Sequence, residues 1–163
     1  MVTKRKVFFS FHFQRDIWRV SQVRNCNVVT TGYTKNDFLD AASWEAVRRQ
    51  GDEAVKRWIN NQLNGTSVTI VLIGAETSTR KYVGYEIEQS YKRGNGLLGI
   101  RIHGLMNQDR QIDYQGANPF DNFYLNGNEL DKLSKYVPVY DWITHDGRNN
   151  IGKWIESVAP KNK

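Results

Sequence analysis

The chain is poor in cysteine and histidine and has no long apolar run, and each shortage removes a class of function. Its 163 residues contain one cysteine, Cys26. An intramolecular disulfide is therefore impossible, which excludes the secreted scaffolds that rely on such bridges. Cys26 would need a histidine beside it to act as a nucleophile. His12, His103 and His145 cannot be placed against it from sequence, so its plain reading is structural. The same scatter gives no zinc-type spacing, and no metal is expected. No stretch approaches the roughly 20 apolar residues that cross a bilayer. The N-terminal MVTKRKVFFSFHF is basic and then apolar, as a signal peptide is. Its apolar run is broken by Ser10 and His12, however, and no small-residue cleavage site follows. The expectation is a cytoplasmic protein without membrane contact.

Phosphate loops are also missing. Nothing matches G-x-x-x-x-G-K-[ST], and no G-x-G-x-x-G follows a strand; GNGLLG at Gly94–Gly99 precedes one. There is no G-x-S-x-G elbow. These gaps argue against P-loop, kinase and serine hydrolase chemistry.

What is present is the composition of a globular protein, 39% hydrophobic and 25% charged. The length suits one domain over residues 1–163. The net charge of +6 raises the question of nucleic acid. The basic residues are spread along the chain, the densest cluster (Lys4 to Lys6) is terminal, and no RNP, KH or zinc-finger pattern occurs. A modest positive field suits an anionic dinucleotide equally well, so no nucleic-acid partner is expected.

Lys6–Phe11 (KVFFSF) is β-branched and aromatic and predicts a buried strand. Asp16–Asn25, with Ile17 and Val20 at helical spacing, predicts a first helix. Val28–Thr31 reads as a weak second strand, and Tyr33–Gly51 as a loop with a short helix around Ala42–Arg49. Asp52–Asn64 is a clear helix: Val55, Trp58, Ile59 and Leu63 form a stripe, acids open it and Gly65 closes it. Val68–Ile73 (VTIVLI) is continuously apolar, as a central parallel strand must be. A helix capped by Ser78 or Thr79 follows, with Val83, Ile87 and Tyr91 as its core stripe, and then a strand at Leu97–Ile102. The polar, turn-rich stretch from about 103 to 135 reads as an insertion with local helix. Tyr136–Tyr140 predicts the last strand, and Ile151, Trp154, Ile155 and Val158 a final amphipathic helix.

This alternation predicts an α/β flavodoxin-like fold, three layers with a roughly five-stranded parallel sheet and helices on both faces. Ligands in such sheets lie beyond the carboxyl ends of the strands. That rule singles out Ser10–Phe13, Gly74–Ser78 and His103–Gly104.

Glu86 is the carboxylate of interest. It shares the flank of its helix with Tyr82 and Ser90 (or Gln89), next to the core stripe. By pattern alone it reads as a surface glutamate. Its helix follows the central strand, so the alternative is a partly buried carboxylate facing a ribose. Trp44 and Glu45, after Phe38–Asp40, form either a second wall or a packed aromatic in a loop. His12 is either a phosphate ligand or a polar residue at a strand end.

Taken together these segments resemble TIR domains. KVFFSF resembles the opening TIR strand that lines the nucleotide site. YVGYEI at Tyr82–Ile87 resembles the helix motif that carries the catalytic glutamate, with Tyr82 where a tryptophan is common. The resemblance is greatest to the bacterial TIR-like branch, the ThsB-type sensor of Thoeris antiphage defence. VRN at Val23–Asn25, DAASWE at Asp40–Glu45, NGTSVTIVLIGAET at Asn64–Thr77, NPFD at Asn118–Asp121 and VYDWITHDGRNN at Val139–Asn150 carry it in order along most of the chain.

The resemblance implies cleavage of NAD+, as a substrate and not a cofactor, to nicotinamide and a cyclic or linear ADP-ribose product. It gives Glu86 the catalytic role. It suggests Phe9, Phe11, Trp44 and Tyr82 as stacking partners for the bases, and Ser10, His12 and Arg15 as contacts to hydroxyls or phosphates. The partner implied is a separate effector reached through the nucleotide product. Many TIR domains are instead adaptors that self-associate without turnover, and this is the competing expectation.

Overall fold

The computed structural model describes residues 4–36 and 41–161. Among them five strands form one parallel sheet in the order β2-β1-β3-β4-β5: β1 Arg5–Ser10, β2 Tyr33–Lys35, β3 Val68–Ile73, β4 Gly96–Arg101 and β5 Val139–Asp141. The helices are α1 Phe13–Arg24, α2 Asn27–Gly32, α3 Ala41–Arg49, α4 Asp52–Leu63, α5 Lys81–Lys92 and α6 Gly147–Val158. No described helix is long and apolar enough to cross a membrane.

Side-chain alternation along the strands separates the two faces. Val7 and Phe9, Ile70 and Leu72, Leu98 and Ile100 point to one side, where they meet Val20 and Val23 of α1, Val29 of α2 and Ile151 and Ile155 of α6. On the other side Phe8 meets Val55, Ile59 and Leu63 of α4. Val71, Ile73 and Leu97 meet Val83 and Ile87 of α5 and, from the β4–β5 connection, Phe120, Leu133 and Val137. All six residues of β3 are buried, which is why its sequence shows no polar alternation.

Three expectations from the sequence are corrected. Val28–Thr31 lies in helix α2, and the second strand is Tyr33–Lys35. The β-branched residues there are held helical by tertiary contact, with Val29 buried in the core, and by the Thr30 and Thr31 hydroxyls. These donate to the Cys26 and Asn27 carbonyls at 3.2 and 2.7 Å. Tyr91 is 52% exposed; the face of α5 turned to the sheet carries Val83, Glu86, Ile87 and Ser90. Ser78 and Thr79 lie in a short 3-10 turn, Thr77–Thr79, ahead of α5, and Arg80 at the helix N-cap makes no side-chain cap.

The β4–β5 connection contains short 3-10 turns at Pro119–Asn122, Leu125–Gly127 and Leu133–Lys135. Its first part is fastened over the carboxyl ends of β3 and β4. Arg101 donates to the Gly116 carbonyl at 2.6 Å, and a Cβ on Gly116 would overlap the Gly74 and Ala75 carbonyl oxygens. From the α1 side, Arg15 forms a two-point ion pair with Asp113 at 2.8 and 3.0 Å. Buried Arg19 donates to the Leu105 and Gln111 carbonyls and to Asp16.

Candidate active site

A cavity of about 170 Å³ opens at the carboxyl ends of β1 and β2, between those strands and helices α3, α4 and α5. Phe9, Phe11, His12 and Phe13 reach it from the end of β1 and the start of α1. Trp44 comes from α3, Trp58 and Ile59 from α4, and Tyr82, Val83 and Glu86 from α5. The strand-end rule therefore holds for β1 and β2. Neither Gly74–Ser78 nor His103–Gly104 lines the cavity, because the β4–β5 connection occupies that end of the sheet.

Glu86 sits in the wall. It is 8% exposed, and Oε1 accepts the Ser10 hydroxyl at 2.8 Å. Burial pushes its carboxyl up to about 8, while the Ser10 hydrogen bond acts the other way. Glu86 is inward because the turn of α5 that buries Val83 and Ile87 also buries it, and Ser10 on the adjoining strand meets it. A carboxyl at this position is neutral over most of the pH range below 8 unless a cation enters beside it.

Aromatic rings form the remaining walls. Trp44 stands 6.3 Å from Phe13, 6.0 Å from Trp58 and 6.3 Å from Tyr82, the last two edge-on. The Tyr82 hydroxyl donates to Asp52 at 2.9 Å, and Lys81 and Lys56 pair with the same carboxylate at 2.7 and 3.1 Å. This cluster fixes the Tyr82 ring and holds the Asp52 carboxyl well below the usual carboxylate range, Lys81 contributing most.

His12 is 8% exposed, and neither ring nitrogen has a partner among the described residues. Burial, followed by the positive charge of Arg80, lowers its pKa and favours the neutral ring. A buried imidazole with both nitrogens free is a costly arrangement that a bound ligand can relieve.

Of the residues singled out from sequence, Phe9, Phe11, His12, Trp44, Tyr82 and Glu86 share this cavity, and Ser10 reaches it through Glu86. Arg15 does not line it. Its guanidinium is turned to Asp113 and Glu76 and ties down the β4–β5 connection. Of the expected wall of Trp44 and Glu45, Trp44 lines the cavity while Glu45 pairs with Arg48 at 2.9 Å; the preceding Phe38–Asp40 lie outside the described residues. Sequence reasoning missed the basic rim of Arg48, Arg80 and Lys81 and the buried Asn36. Isolated basic residues give no signal in a chain with basic residues throughout. Arg80 directly before YVGYEI was the only available hint, and its guanidinium has no ion-pair partner among the described residues.

Comparisons with known proteins identify the family of the chain. The family profile described as "Thoeris protein ThsB, TIR-like domain" matches residues 8–107, a span that runs from the second half of β1 through β4 and holds every residue of the cavity. A Bacillus cereus (strain MSX-D12) protein named "Putative cyclic ADP-D-ribose synthase ThsB1" is 34% identical over 189 residues, covering 93% of this chain and 98% of the relative. With a parallel sheet in 2-1-3-4-5 order and a match over most of its length, the chain belongs to the Thoeris ThsB family of TIR-like proteins.

Proposed function

We propose that this protein cleaves the nicotinamide–ribose bond of NAD+, with Glu86 as the catalytic carboxylate, and joins the freed ribose to the adenosine half of the same molecule. In this reading it acts as a cytoplasmic sensor of antiphage defence whose cyclic ADP-ribose product reaches a separate effector. The observation that carries the proposal is one buried carboxyl, held by Ser10 in a cavity walled by aromatic rings. The name of the Bacillus cereus relative supports the same chemistry.

One carboxylate suffices for this reaction. Most glycosidases need a second group to protonate the departing oxygen. In NAD+ the C1–N bond breaks with its electron pair moving to the cationic pyridinium nitrogen, and nicotinamide leaves as a neutral base. The ribosyl carbon becomes oxocarbenium-like, and an ionised Glu86 stabilises that charge in a site shielded from water. An adenosine-side nucleophile then forms the new bond to the same carbon, and any proton it carries passes to solvent. Cyclisation prevails over hydrolysis when that nucleophile is held closer than water. Phe9, Phe11, Trp44 and Tyr82 supply stacking surfaces, and Arg80 at the rim offers a charge for the diphosphate.

The test is to incubate the concentrated protein with NAD+ and read products by mass spectrometry. A product lighter than ADP-ribose by the mass of water supports the cyclase. ADP-ribose alone makes the enzyme a glycohydrolase. NAD+ left intact, in buffer and in lysate of infected cells, favours a TIR-like interaction module.

A further inference from the structure

Asn36 follows β2 directly and lines the cavity, yet it is only 4% exposed. Its side-chain orientation is fixed by its neighbours. Oδ1 accepts the Phe9 amide at 2.8 Å and the Arg24 guanidinium at 3.3 Å, and a second Arg24 nitrogen donates to the Asn36 carbonyl at 2.9 Å. The Asn36 backbone N–H donates to the Val7 carbonyl. With Oδ1 claimed by two donors, the amide cannot be flipped. The Nδ2 group is left as a donor with no acceptor among the described residues. An amide held in one orientation on the wall of a cavity can present its Nδ2 hydrogens to a ligand acceptor.

The ligand group follows from position and charge. Phe9 and Ser10 are consecutive, with Cα atoms about 3.8 Å apart. Asn36 is bonded to the first of them and Glu86 to the second, each at 2.8 Å. The amide and the carboxyl therefore lie on the order of 10 Å apart or less. That is the span of a ribose bearing a pyridine ring, with a hydrogen bond at either end. The donor is neutral, and the neighbouring Arg24 guanidinium is turned to Asn36 Oδ1 and the Asn36 carbonyl, which suits an uncharged carbonyl as the ligand group. A phosphate is better served by Arg80 on the exposed rim.

We propose that Asn36 recognises the leaving group, its Nδ2 hydrogens donating to the carboxamide oxygen of the nicotinamide ring while Glu86 meets the ribose. This rests on the NAD+-cleaving reading above. It makes the cavity selective for a pyridine carrying a carbonyl, and it makes Asn36 a specificity residue distinct from the carboxylate that serves bond cleavage.

The test compares NAD+ with the dinucleotide in which plain pyridine replaces nicotinamide, using the full chain. Asn36→Asp keeps the acceptor for the Phe9 amide and for Arg24 and removes the donor, and the charge it adds acts alike on the pyridinium of both dinucleotides. The difference in leaving ability between the two bases is common to both proteins and cancels in the double ratio of kcat/KM. The preference for NAD+ should fall about tenfold or more in Asn36→Asp. Calorimetric affinities of the two dinucleotides, for wild type and for the variant, should show the same loss of preference. An unchanged double ratio, or equal affinity of wild type for both dinucleotides, overturns the assignment. If wild type cleaves neither dinucleotide, the proposed activity fails, and the calorimetric ratio alone decides whether Asn36 reads the carboxamide.

Discussion

Glu86 must be ionised to stabilise a ribosyl cation, yet burial holds its carboxyl at about 8. In the free enzyme at pH 7 only about a tenth of the molecules carry the carboxylate. The profile of kcat/KM against pH reports the free enzyme. It should rise about tenfold per unit below pH 8 and level off above it. The profile of kcat should have a lower midpoint, because the bound pyridinium cation favours the ionised form. Ser10 sharpens the prediction. Among the described residues its hydroxyl makes the one hydrogen bond that lowers the Glu86 pKa, and hydrogen bonds to charged groups are worth about 1.5–3 kcal/mol. At about 1.4 kcal/mol per pH unit, Ser10→Ala should raise the kcat/KM midpoint by about 1–2 units. Initial rates of nicotinamide release across pH 5.5–10, for wild type and Ser10→Ala, measure both quantities. A flat wild-type profile, or a Ser10→Ala midpoint that stays or falls, refutes the reasoning.

The same carboxyl bears on stability. Its folded pKa lies above the unfolded 4.5, so its contribution to folding is most favourable below about pH 4.5 and is lost as pH rises through about 8. That interval corresponds to on the order of 5 kcal/mol as an upper bound. Thermal melts should therefore show Glu86→Gln gaining on wild type from pH 5 to about pH 8 and levelling off above it. His12→Leu removes two unsatisfied buried nitrogens, so its melting temperature should equal or exceed that of wild type while its NAD+ affinity, read by calorimetry, falls about tenfold. Gly116→Ala forces the β4–β5 connection off the Gly74 and Ala75 carbonyls and should cost about 2–4 kcal/mol in urea unfolding. Because Gly116 does not line the cavity, its KM for NAD+ should change little.

How far the sequence could be read depended on how local the determining forces are. VTIVLI gave β3 at its observed bounds because a strand buried on both faces tolerates no polar residue. The α4 helix was legible from its apolar stripe, its acidic start and the glycine after it. Val28–Thr31 reads as strand in the sequence because β-branched residues favour strands, but only where sheet neighbours are available; here contact with the core and hydroxyl-to-carbonyl bonds favour helix. The helix motif points to Glu86, but periodicity cannot show its burial, since its hydrogen-bond partner, Ser10, is distant in sequence. Asn36 gave no signal at all: its role depends on Phe9 and Arg24, brought to it only by the assembled sheet. Arg15 looked suited to a phosphate until the β4–β5 connection brought Asp113 against it.

The central claim is that Glu86 carries bond cleavage in NAD+. Its most direct test is the rate of nicotinamide release from NAD+ by wild type beside Glu86→Gln, at pH 8.5 where the carboxyl is mostly ionised, with far-UV circular dichroism confirming that both are folded. Nicotinamide release by wild type, with a loss of at least about a hundredfold in Glu86→Gln, is the result required. Equal release by both folded proteins contradicts the assignment of Glu86, and absence of release by wild type contradicts the activity itself.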